Sequence, residues 1–66
     1  MPFIEVTLVQ GRSPAQLRAL ISSLTQAAVD AVGAPRESVR VVLHEVPATH
    51  FAAGDVTIAE RTETSS

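Results

Sequence analysis

The chain has 66 residues, a formal net charge of −2, no cysteine and 45% apolar residues with only two aromatics. Disulfides are excluded, and His44 and His50 alone do not make a structural zinc set. So short a chain buries little of its own surface, so oligomerisation is the expected source of stability. Lysine is absent and the five arginines are dispersed, with neither the basic stripe nor the stacking platform of a nucleic-acid binder. No apolar run is long enough to span a membrane. Glu5 interrupts any signal-peptide pattern, so the expected location is the cytoplasm. The richness in Ala, Val and Arg fits a G+C-rich bacterial coding bias.

In chain order, residues 3–9 alternate apolar Ile4, Val6 and Leu8 with Phe3, Glu5 and Thr7, the period of a half-buried strand. Gln10-Gly11-Arg12 breaks it. Ser13 and Gln16 are spaced for a capping box, with Pro14 at the first helical position. Leu17, Leu20, Ile21, Leu24, Ala28, Ala31 and Val32 follow as an apolar stripe. Gly33 ends the helix, and Pro35 prevents its resumption. Residues 39–46 read as a second strand apolar on both faces, as in a parallel sheet covered on both sides inside an assembly. The expected fold is α/β (α+β): one βαβ unit with a right-handed crossover. Residues 47–54 read as a loop, 56–59 as a short strand or half of a hairpin, and 60–66 as a frayed polar tail. All belong to a single domain, 1–66.

Four residues carry candidate chemistry. Removal of Met1 exposes Pro2 as a secondary amine, which titrates near neutral pH and is tuned further by apolar surroundings and cations. Such a group suits proton transfer; a strand-edge proline is the alternative. Arg12, in the turn after the first strand, and Arg40, early in the second, offer forks for a carboxylate or a developing enolate. The alternatives are a solvated turn charge for Arg12 and, for Arg40, an ion pair with Glu37, Glu45 or an acidic group on another subunit. Phe51, in a polar loop, is either a pocket wall or an interface anchor. His44 and His50 have no nucleophile to pair with, and capping the Pro35-Arg36-Glu37 turn is role enough for Ser38.

Met1-Pro2, Gly11-Arg12-Ser13, Ala34-Pro35, Ser38-Val39-Arg40-Val41 and His50-Phe51 keep an order and spacing that resemble the 4-oxalocrotonate tautomerase family. The resemblance runs from Pro2 to Gly54. It implies a βαβ fold assembled as a hexamer built from dimers, with active sites at subunit interfaces and no cofactor. It also implies that Pro2 is the general base and acid of an enol–keto isomerisation, that Arg12 binds a substrate carboxylate, that Arg40 engages the other end of the substrate and draws electrons, and that Phe51 forms a hydrophobic wall. The substrate is then a small carboxylate-bearing 2-oxo acid of the 2-hydroxymuconate type. Two alternatives stand beside it: iminium chemistry at the Pro2 amine, and a non-catalytic carboxylate-binding subunit. Ala52-Ala53-Gly54-Asp55 departs from the family's glycine-rich stretch, which puts the hairpin geometry in question. It also lacks an acidic residue immediately after Phe51, which argues against water addition.

Overall fold

The computed structural model describes residues 2 to 64. Phe3–Val9 forms β1, Pro14–Val32 forms α1, and Arg40–Val46 forms β2. The strands are parallel, in register from Phe3 opposite Arg40 to Val9 opposite Val46. The α+β architecture with a βαβ unit therefore stands as expected.

Local chemistry sets the ends of α1. Ser13 Oγ accepts from the Gln16 amide at 3.2 Å, while Gln16 Oε1 accepts from the Ser13 amide at 2.9 Å. Pro14 occupies the first turn, where its missing N–H leaves no bond unmade. Gly33 closes the helix in the left-handed region at φ 69°, donating to the Val29 carbonyl. Leu17, Leu20, Ile21, Leu24 and Ala28 are half-buried as the stripe predicts. Ala31 and Val32 are not: Val32 is 69% exposed, and Val29 is the half-buried residue of the last turn.

On β1, Ile4, Val6 and Leu8 are half-buried and Phe3, Glu5 and Thr7 exposed. The register aligns Ile4 and Val6 with Val41 and Leu43, also half-buried, and marks the face against which α1 packs. The opposite face is largely open, with Phe3 62% exposed and Glu5, Thr7 and His44 exposed beside it. The second cover of β2 is expected only inside an assembly. Val39 precedes β2 as an extended cap residue.

The C-terminal region corrects the expectation most. After a 3-10 turn at Ala48–His50, strands β3 (Ala52–Ala53) and β4 (Val56–Thr57) form a two-residue hairpin. Gly54 and Asp55 make its turn with φ of 58° and 68°, the twisted geometry that suits tight hairpins. Ala52 and Ala53 therefore do not prevent the hairpin. The expected strand over 56–59 stops at Thr57, and the expected tail from residue 60 is instead helix α2, Ile58–Thr64. Thr57 and Glu60 cap it reciprocally, at 2.8 and 3.1 Å. Residues 65 and 66 lie outside the described residues.

Among the described residues no side chain is fully buried. The radius of gyration is 15.0 Å, against about 11 Å for a compact chain of this length. Its 4707 Å² of accessible surface exceeds the roughly 4,000 Å² of a compact monomer of this mass. The fold is a thin slab, 45 × 25 × 15 Å, whose apolar residues lack a closed core.

Candidate active site

The parallel register sorts the four candidate residues into two pairs. Pro2 precedes β1 and Arg40 opens β2, so both lie at the N-terminal end of the sheet. The Arg40 amide donates to the Pro2 carbonyl at 3.0 Å, extending the ladder one step before Phe3. The Arg40 guanidinium is exposed and donates through Nη1 to the Glu37 carbonyl at 2.7 Å. The partner within this chain is main chain rather than the Glu37 or Glu45 carboxylate of the alternative reading, so the guanidinium's charge is not neutralised there.

Arg12 lies at the other end. Gly11, at φ 129°, turns the chain away from β1, and Arg12 Nη1 donates to the Val9 carbonyl at 2.8 Å. The Gln10 amide donates to Val46 at 2.8 Å, so the same end carries the exit of β2. Phe51 follows that exit after the Ala48–His50 turn and is half-buried. Its carbonyl accepts from the Ile58 amide at 2.9 Å, which ties it to the start of α2. The strand separates the pairs by roughly 20 Å, far beyond the reach of an arginine side chain. One chain brings Pro2 to Arg40 and leaves Arg12 and Phe51 beyond the other end of the sheet, so it does not close all four around one substrate.

His50 ends the 3-10 turn before Phe51 and is exposed. Ser38 Oγ donates to the Pro35 carbonyl at 2.8 Å, the local role expected of it. His44 has a partner the linear reading misses: its Nε2 lies 3.1 Å from Glu5 Oε2 on the open sheet face. The two residues are 39 apart in sequence, and only the strand register reveals the diagonal.

The family described as "Tautomerase enzyme" matches residues 2–61, which includes all four candidates. The chain belongs to the 4-oxalocrotonate tautomerase family. This tautomerase is an isomerase, and its relatives span nearly the same length. A probable tautomerase of Ralstonia nicotianae is 59% identical over 56 residues, covering 85% of this chain and 80% of that protein. A 2-hydroxymuconate tautomerase of Comamonas testosteroni is 42% identical over 60 residues, covering 91% and 95%. Among solved structures, a 4-oxalocrotonate tautomerase homologue from a tomaymycin biosynthetic pathway superposes with TM-score 0.94 and 43% identity, covering 98% of the tautomerase and 100% of that chain. A heterohexameric 4-oxalocrotonate tautomerase of Chloroflexus aurantiacus gives 0.87 and 37%, covering 91% and 97%. Among the described residues, no helix of the tautomerase is long and apolar enough to cross a membrane.

Proposed function

We propose that the protein interconverts the enol or dienol and keto forms of a small carboxylate-bearing 2-oxo acid, with Pro2 as the proton carrier, in a site completed by more than one copy of the chain. The observation that carries this reading is the division of the candidates between the two ends of the sheet. A substrate held by Arg12 reaches Pro2 only when the Arg12 and Phe51 end of one copy meets the Pro2 end of another. The open sheet face and the absence of buried side chains among the described residues support the same assembly.

In the proposed cycle Met1 is removed and the Pro2 secondary amine is free. The amine takes the enol hydroxyl proton. The oxygen–hydrogen bond breaks, a carbonyl forms, and the electron pair shifts along the unsaturated chain to the remote carbon. The resulting prolinium returns a proton there, forming a carbon–hydrogen bond. Nothing is oxidised or reduced, so acid–base groups suffice. A guanidinium near the amine disfavours its protonated form and keeps the base available at neutral pH. Arg12 binds the substrate carboxylate through its planar fork. Arg40 faces the carbonyl end, where it stabilises developing negative charge. Phe51 walls off water and strengthens both interactions. The 2-hydroxymuconate tautomerase relative favours a dienol dicarboxylate, which would engage both guanidinium groups.

Ultraviolet absorbance of 2-hydroxymuconate or phenylenolpyruvate ketonisation tests the reading, on protein whose intact mass shows Met1 removed. Catalysis well above the buffer rate is expected, with a loss of about 10²–10⁴-fold in Pro2→Ala. A rate equal to buffer, or equal rates for Pro2→Ala and wild type, would exclude it.

A further inference from the structure

A line of surface hydrogen bonds runs from the back of α1 to Arg40. Gln26 Nε2 donates to Asp30 Oδ1 at 2.8 Å, and Arg36 Nη1 donates to Gln26 Oε1 at 2.6 Å. The direction of the Gln26 amide is fixed by its neighbours. A guanidinium only donates and a carboxylate only accepts, so the oxygen must face Arg36 and the nitrogen Asp30. Opposite charges at the two ends polarise both bonds in the same sense.

Arg36 opens the 3-10 turn Arg36–Ser38, whose own bonds are short-range. The Ser38 amide donates to Pro35 at 2.9 Å, and the Val39 amide donates to Arg36 at 3.2 Å. These bonds shape the turn but do not fix it against the rest of the fold. The Arg36–Gln26 bond, spanning ten residues, does so. The same turn presents the Glu37 carbonyl that holds the Arg40 guanidinium at 2.7 Å. An exposed arginine side chain has many rotamers to lose when it is held in one direction. A carbonyl restrains it only if that carbonyl is itself held still.

We propose that Arg36 and Gln26 are positioning residues for Arg40, clamping the Arg36–Ser38 turn to α1 so that the Glu37 carbonyl aims the Arg40 guanidinium at substrate. The inference rests on the reading that Arg40 acts on substrate. It assigns Arg36 and Gln26 no contact with substrate, and it holds whichever copy supplies Arg40 to a given site.

The test is steady-state ketonisation kinetics on the assembled enzyme with Gln26→Met, Arg36→Met, Arg36→Lys, Arg40→Ala and the double variant Arg36→Met/Arg40→Ala. Gln26→Met and Arg36→Met should each lower kcat by about fivefold, the scale of one hydrogen bond, with KM nearly unchanged. Arg36→Lys, which keeps a donor for Gln26, should recover most of that loss. The double variant should be no slower than Arg40→Ala alone, because the clamp acts only through Arg40. Arg18→Met, which removes an exposed bond from Arg18 to Ser22 on the same helix, should leave kcat unchanged. Multiplying losses in the double variant, losses that track a fall in Tm, or unaltered kcat in Arg36→Met would overturn the clamp. Unaltered kcat in Arg40→Ala would instead overturn the role of Arg40 itself.

Discussion

The amide of Arg40 donates to the carbonyl of Pro2 at 3.0 Å, so the second strand holds the residue that becomes the amino terminus once Met1 is cleaved. The proline ring fixes one backbone angle and the ladder fixes the carbonyl. The amine therefore starts from a defined direction rather than from the loose geometry of most chain termini.

Arg12→Ala and Arg40→Ala should fail differently. Arg12 is assigned to ground-state binding, so its loss should raise KM by about 10- to 100-fold with a smaller change in kcat. Arg40 is assigned to charge that develops during reaction, so its loss should appear mainly in kcat, by about 10²-fold. Steady-state kinetics on a dicarboxylate dienol checks the split.

Two impaired variants, assayed at substrate well below the wild-type KM, should rescue each other. Pro2→Ala keeps an intact Arg12 end, and Arg12→Ala keeps an intact Pro2 end. If each site takes Pro2 from one copy and Arg12 from another, co-refolding equal amounts should return about a quarter of wild-type activity by random pairing. Activity no greater than the sum of the separate variants would place both residues of a working site on one chain.

Asp55→Gly should stabilise the protein. Asp55 holds φ at 68° in the hairpin turn, a conformation that favours glycine, and its side chain is exposed. Removing Cβ there should contribute about 0.5–1 kcal/mol per chain, read as a higher midpoint in denaturant with an unchanged slope. Activity should be unchanged, since Asp55 has no part in the proposed chemistry.

The order of α2 should depend on pH. The bonds from the backbone and side chain of Thr57 hold the Glu60 carboxyl below its ordinary range. A folded-state value depressed in this way supports α2 above the unfolded value of about 4.3. That support is lost as pH falls through the lower folded value. The protection factors for amide exchange across α2, measured against the intrinsic rate at each pH, should fall on acidification over that interval. Glu60→Gln should show the lower protection already at neutral pH and no further fall in that interval.

The first two strands and α1 were legible because each repeats its signal locally. Ser13 and Gln16 cap one end of α1, Gly33 caps the other, and the alternation in β1 needs no distant partner. Helix α2 was missed although Thr57-Ile58-Ala59-Glu60 has the same capping spacing as Ser13-Pro14-Ala15-Gln16. Its polar composition resembles that of a solvated tail, and it carries no extended apolar stripe to oppose that impression. The candidate site was legible as residue types, and Arg12, which follows β1, lies at the far end from Pro2 in any pairing. That Arg40 sits level with Phe3 depends on strand register, which a linear spacing does not contain. The Glu5–His44 diagonal was hidden for the same reason.

A slab with no buried side chain among the described residues makes concentration part of the structure. If folding is completed by neighbouring copies, dilution acts as a denaturant and mass action sets the melting temperature. Losing a neighbour would then remove the fold and the reaction together. The working enzyme would have no dormant monomer to hold in reserve, and its activity would switch on over the same narrow range of protein concentration in which the chain first becomes stable.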